Sequence, residues 1–98
     1  MSGNQINAAI QVLPRSKDRH PYAIVDEAID EIRKSGLNYK VCPFETVVEG
    51  YYREVVDLIE KISSRCLKEG AEELLINVKL QIRKEGDVTM EEKIGKYS

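Results

Sequence analysis

Polar residues that could bind a ligand gather at the end of a β-prone segment in the middle of the chain. Glu49 directly precedes Gly50, and Thr46 lies three residues earlier in the same segment. The Glu49 carboxylate could accept hydrogen bonds from a bound molecule, or it could cap a helix that begins at Gly50, because a helix N-terminus favours negative charge. Thr46 is either an ordinary β-branched strand residue or a source of a hydroxyl for a pocket.

An aromatic ring and several side-chain amides extend this candidate site. The ring of Tyr39 could stack on a heteroaromatic ligand, although a core tyrosine with its hydroxyl at the rim is the more common arrangement. Amides on the first and last predicted strands could bind a neutral heterocycle, or they could pair across a subunit interface. The candidate ligand-binding residues are therefore Asn7, Gln11, Tyr39, Thr46, Glu49, Gly50 and Asn77.

The other reactive residues form no catalytic pattern. His20, the only histidine, precedes Pro21 in a polar stretch, so we predict that it caps a helix rather than acts as a general base. Cys42 and Cys66 match no metal-ligand spacing, and in a cytosolic protein both would remain thiols. The sequence has neither a glycine-rich phosphate loop nor a Ser/His/Asp order. We therefore predict no catalytic residue, no metal site and no cofactor.

The elements that must position these residues follow from hydrophobic periodicity. Strict alternation predicts strands, and repeats of three and four residues predict helices, with Tyr22, Val25, Ala28, Ile29 and Ile32 on the apolar side of the first helix. The predicted elements are strands over residues 5–13, 37–42, 44–49 and 73–84, helices over 21–36 and 50–70, and a short tail helix over 90–97 with Thr89 and Glu92 as its capping box.

This order predicts an α+β fold of the ferredoxin-like βαββαβ type. Right-handed crossovers would give a four-stranded antiparallel sheet with two helices on one face, followed by the short C-terminal helix. The helices leave the other sheet face bare, and its amides favour a ligand or a partner subunit against it. The last strand is long enough that we expect its far end to project past the sheet and pair with another subunit.

Composition narrows the class of protein. The 98 residues suit one domain, residues 1–98, and 42% hydrophobic with 33% charged residues is typical of a globular chain. A net charge of -2 provides no general attraction for nucleic acid. No apolar run approaches the roughly 20 residues that cross a bilayer, and no secretory signal is evident, so we expect a cytoplasmic protein without a membrane partner.

Two sequence motifs carry a family resemblance. The run SGLNYKVCP at residues 35–43, followed by TVVEG at 46–50, resembles the thiamine-binding YkoF-like family, also known as DUF77 or UPF0045. The similarity continues through Pro14, Gly70 and the MEEKI tail at residues 90–94, and so spans nearly the whole chain. The resemblance implies a ferredoxin-like fold, assembly into a homodimer or homotetramer, and binding of thiamine or its hydroxymethylpyrimidine part without catalysis.

On this resemblance, Glu49 would accept hydrogen bonds from an aminopyrimidine or face a thiazolium cation. Tyr51 and Tyr52 stand where such proteins commonly have an acidic or small residue, so we expect them to alter the size of the pocket. The functional hypothesis is a cytoplasmic small-molecule binding protein. Its alternative is a structural or regulatory oligomerisation module without a vitamin ligand, and an enzyme that uses Glu49 as acid or base is the third and least favoured hypothesis.

Overall fold

The predicted order of strands and helices is confirmed by the computed structural model, which describes residues 3–97. The first long helix, Pro21–Lys34, starts where His20 Nδ1 accepts a hydrogen bond from the backbone N–H of Tyr22 at 3.1 Å, which confirms the predicted cap. The elements are β1 (Gln5–Arg15), α1 (Pro21–Lys34), β2 (Asn38–Val41), β3 (Thr46–Tyr51), α2 (Tyr52–Lys68), β4 (Glu73–Gln81), α3 (Met90–Ile94) and a terminal 3-10 turn (Gly95–Tyr97).

The four strands form one sheet in the order β2-β3-β1-β4, with every neighbouring pair antiparallel. Alternate residues of each strand point to opposite faces. Ile6, Ala8 and Ile10 of β1 pack into the core beneath the two long helices. Asn7 lies on the other side, which we call the open face because neither α1 nor α2 covers it. The α+β prediction is therefore confirmed.

The core combines one face of the sheet with one side of each long helix. Tyr22, predicted for the apolar side of α1, is instead 75% exposed, because it lies in the first turn and its ring meets the His20 ring edge-on with centroids 5.0 Å apart. The buried cluster contains Ile24, Ala28 and Ile32 of α1, Val55, Leu58, Ile62 and Cys66 of α2, Val48 of β3, and Ala71.

The last strand is shorter than predicted. β4 ends at Gln81 opposite Asn7, so the expectation that its far end projects past the sheet is wrong. The chain instead turns back at Gly86, whose φ of 88° is a left-handed conformation that suits glycine. Val88 then donates its backbone N–H to the Gln5 carbonyl at 3.0 Å and is fully buried. This turn directs the tail segment, residues 88–97, back to the sheet.

The tail helix α3 begins with the predicted capping box. Glu92 donates its backbone N–H to Thr89 Oγ1 at 3.1 Å, and its carboxylate accepts the Thr89 backbone N–H at 2.8 Å. The same carboxylate pairs with the Arg83 guanidinium at 2.9 Å. The tail is thus tied to the turn that precedes it.

The tail attachment should be pH dependent through Glu92. The bond from Arg83, followed by that from the Thr89 backbone, lowers the pKa of Glu92 from 4.5 to about 2. Because the folded pKa is the lower one, this carboxylate stabilises the folded tail above pH 4.5 and loses that contribution as the pH falls toward 2. We expect the protection factor of the Thr89 amide, its intrinsic exchange rate divided by the rate measured by NMR, to fall across this window.

A matched pair of variants isolates that effect. In Glu92→Gln the acid-dependent step at Thr89 should disappear, because glutamine does not titrate. Glu85 is exposed and precedes Gly86, so Glu85→Gln should keep the step. A step that persists unchanged in Glu92→Gln would contradict the assignment.

Candidate small-molecule site on the open sheet face

The open face has a buried acceptor near the start of β1. Asn7 is only 4% exposed, and its Nδ2 donates to the Val88 carbonyl at 3.0 Å. A carbonyl can only accept, so this bond determines which end of the amide faces the tail. The other end, Oδ1, is buried and has no hydrogen-bond partner among residues 3–97. Buried polar atoms are almost always paired, which makes this oxygen a candidate contact for a ligand donor.

Glu49 lies directly opposite Asn7 in the ladder between β1 and β3. One carboxylate oxygen accepts the backbone N–H of Met90 at 2.6 Å, and the other accepts the Asn38 side-chain amide at 3.3 Å. The interpretation that Glu49 caps the second helix is therefore wrong, because its side chain points to the open face and caps α3. At the start of α2, the Glu54 carboxylate accepts the backbone N–H of Tyr51 at 2.9 Å.

Two adjoining cavities lie between the open face and the tail. The tail cavity has a volume of about 240 Å³ and the strand cavity about 290 Å³. Asn7, Val47 and Lys93 belong to both, so we call the two together the open-face groove. The tail cavity is lined by Asn7, Lys40, Cys42, Val47, Met90, Lys93 and Ile94, and the strand cavity by Asn7, Ala8, Ala9, Glu45, Val47, Lys79, Leu80, Gln81 and Lys93.

The groove combines apolar surface with a few polar groups. Val47, Met90 and Ile94 supply aliphatic and thioether surface, which suits the flat face of a heterocycle. Lys93 Nζ donates to Gln81 Oε1 at 2.7 Å, across the strand cavity. Among the described residues, no group of three or more His, Cys, Asp or Glu could hold a metal ion. The groove is therefore suited to a small organic molecule.

The sheet divides the seven predicted site residues between its two faces. Asn7 and Glu49 are opposite each other in the ladder and lie on the open face. Tyr39 packs against the core, Thr46 is buried opposite Ile10, and Gly50 lies against the Leu37 side chain, so these three face the helices. Thr46 and Glu49 are three positions apart in β3, and an odd difference in position places side chains on opposite faces of a strand.

The other two predicted residues lie on the open face but outside the groove. Asn77 Nδ2 donates to Gln11 Oε1 at 3.1 Å, so each amide already has a partner. They belong to the part of β1 and β4 that extends beyond the end of β3. Tyr51 and Tyr52 line neither cavity of the groove, which gives no support to the expectation that they change its size.

Sequence reasoning missed the walls supplied by β2, β3 and the tail. Lys40 lies opposite Val47 in the ladder between β2 and β3, so alternation from Glu49 could have placed both on the open face. Met90 and Ile94 are four residues apart and form one apolar side of α3. That spacing signals a helix with a buried side, but it does not indicate which surface the helix covers.

The fold and the groove define a small α+β protein with a ligand-sized recess beside its sheet. Residues 8–98 match the family model for thiamine-binding proteins, and the chain belongs to that family, as the motifs suggested. No helix within residues 3–97 has the length and apolar character needed to cross a membrane.

Relatives agree with this assignment. A UPF0045 protein of Clostridium perfringens is 37% identical over 91 residues, which cover 93% of this chain and 95% of that protein. A DUF77 domain of unknown function from Bacillus cereus has a TM-score of 0.92 at 33% identity, covering 97% of this chain and 91% of that one. A Thermotoga maritima protein, provisionally assigned to thiamine biosynthesis or salvage, has a TM-score of 0.87 at 28% identity, covering 96% of this chain and 99% of that one.

Proposed function

We propose that this protein binds thiamine or its hydroxymethylpyrimidine part in the open-face groove, in the cytoplasm, without chemical turnover. The observation that carries the proposal is the buried, unpartnered Oδ1 of Asn7. An aminopyrimidine presents an exocyclic amine that donates hydrogen bonds, which is the partner this oxygen lacks. The family assignment and the Thermotoga relative support the same ligand class.

The walls of the groove complement such a ring. Val47, Met90 and Ile94 offer apolar contact to its faces, while Asn7 sets its orientation. The Val88 carbonyl accepts a hydrogen bond from Asn7, and the Glu49 carboxylate accepts one from the Met90 backbone. The tail segment therefore lies over Asn7 Oδ1 in this structure. Because Oδ1 is shielded from solvent, a ligand reaches it only when the tail shifts. Binding should therefore change the environment of the tail as well as that of the sheet.

NMR of side-chain methyl groups tests this placement. Titration with thiamine and with hydroxymethylpyrimidine should shift the signals of Val47, Met90 and Ile94, which line the groove. Val25 and Ile29 line a separate cavity on the helix side, beside Thr46, and should stay unchanged. The proposal fails if millimolar ligand shifts nothing, or if only the helix-side signals respond.

A structural oligomerisation module is the second candidate function. It is favoured by Leu13 and Leu75, which lie opposite each other in the ladder between β1 and β4 and are 45% and 59% exposed. Exposed leucines side by side on a sheet are typical of a contact surface. A homodimer or homotetramer by light scattering, without any ligand-induced methyl shift, would favour this function over vitamin binding.

A further inference from the structure

We infer that the molecule bound in the open-face groove carries a negatively charged group, such as a phosphate monoester, held between Lys40 and Lys93. The inference rests on the proposed function for the location of the site. It goes beyond that function by specifying the charge of the ligand, and it favours a phosphorylated heterocycle over free cationic thiamine.

Lys40 supplies an uncompensated positive charge. It lies on β2 opposite Val47, and it lines the tail cavity. Among residues 3–97, no carboxylate lies within ion-pair distance of its ammonium group. A lysine beside an apolar wall, without a counter-ion, attracts an anionic group of a ligand.

Lys93 supplies the second positive charge, from α3. Its Nζ atom donates to the amide oxygen of Gln81 at 2.7 Å, which holds the ammonium beside both cavities but leaves its charge uncompensated. An ammonium group has three donors, so further hydrogen bonds to a phosphate oxygen remain possible. Lys93 and Lys40 thus reach the same cavity from the tail and from the sheet.

Positive side chains outnumber carboxylates among the walls of the groove, where Lys40, Lys79 and Lys93 are accompanied by Glu45 alone. Glu49 accepts hydrogen bonds from the Met90 backbone and from Asn38, and Glu45 pairs with Lys79 at 3.6 Å. The tail cavity itself has no acidic residue among its walls. Glu49 keeps its negative charge, because both of its donors are neutral, but it lines neither cavity. A cationic thiazolium in the tail cavity would therefore meet two ammonium groups and no acidic wall residue, whereas an anion would be attracted by both lysines.

Isothermal titration calorimetry with matched ligand pairs tests the inference. The pairs are thiamine with thiamine monophosphate, and hydroxymethylpyrimidine with its monophosphate, each measured in low and in high salt. We expect the phosphorylated member to bind roughly three- to tenfold more tightly, the range that two solvent-exposed charge pairs provide. High salt should reduce this preference, because screening weakens exposed charge pairs.

Lysine variants assign the preference to the groove. In the double variant Lys40→Met with Lys93→Met, the ratio of the affinities for the phosphorylated and unphosphorylated ligands should fall to about one. Both charges are removed in this variant, while the aliphatic stems are retained. Lys40→Met alone, which leaves the Gln81 contact intact, should remove about half of the preference in free-energy terms. Lys61 and Lys84 lie outside the groove, so the double variant Lys61→Met with Lys84→Met should behave like the unmodified protein. Thermal melts followed by circular dichroism verify that each variant is folded.

The outcomes separate this inference from the function on which it rests. If the unphosphorylated ligands bind equally well or better, the inference is overturned while vitamin binding stands. A preference that survives in the Lys40→Met, Lys93→Met protein also overturns it, because the charge would then be recognised elsewhere. If none of the four ligands binds, both the inference and the proposed function fail.

Discussion

Replacing Ile62 by alanine is expected to lower the free energy of unfolding by about 2–5 kcal/mol. Ile62 is completely buried in α2, within the cluster that joins both long helices to the sheet. The change removes apolar contacts and leaves a cavity that the surrounding side chains fill only in part. Domains of this size have only about 5–15 kcal/mol of stability, so the loss is a large fraction of the total. Urea unfolding followed by circular dichroism measures it.

Leu67 on the same helix provides the control. It is 51% exposed, so Leu67→Ala should change the free energy of unfolding by no more than about 0.5 kcal/mol. Equal losses in the two variants would show that the helix as a whole, rather than the buried side of α2, determines the effect.

Replacing Asn7 by alanine is expected to weaken binding of thiamine or hydroxymethylpyrimidine by roughly 10- to 100-fold. The change removes the unpartnered Oδ1 that we assign to the ligand, and it also removes the donor to the Val88 carbonyl. Calorimetric titration measures the affinity, and hydrogen exchange at Val88 reports whether the tail has loosened. The two readouts distinguish the loss of a ligand contact from a displacement of the tail segment that covers the groove.

Asn77 offers a matched control on the same sheet face. It bonds to Gln11 at 3.1 Å and lies outside both cavities, so Asn77→Ala should leave the affinity within about twofold of the original value. Unchanged binding in Asn7→Ala, or an equal loss in Asn77→Ala, would remove Asn7 from the site.

The tail segment is held over the groove by contacts between distant parts of the chain. Val88 bonds to Gln5 and Asn7 on β1, and Met90 bonds to Glu49 on β3. Each contact uses a polar group of the sheet that would otherwise face solvent or a ligand. A ligand that donates to Asn7 must enter beneath the tail segment, which connects ligand binding to tail motion.

The amino-acid sequence by itself determined the local elements of this protein. Alternation along residues 5–13 and 73–84 predicted β1 and β4, although β4 ends at Gln81, and these patterns are strong because one sheet face is buried. Short-range side-chain bonds fixed helix ends, as His20 does for α1 and Thr89 with Glu92 does for α3. These features depend on residues close in sequence, and so they could be predicted together with the family.

Only the tertiary structure decided which polar residues share a site. The ladder register brings Glu49 opposite Asn7, and the period of two sends Thr46 to the helix face, although the two residues stand in one motif. The tail reaches the open face through the bond from Asn7 to Val88, which joins residues 81 positions apart. No local pattern encodes such a contact, because it depends on how the whole sheet assembles and on which of its faces the two long helices leave uncovered.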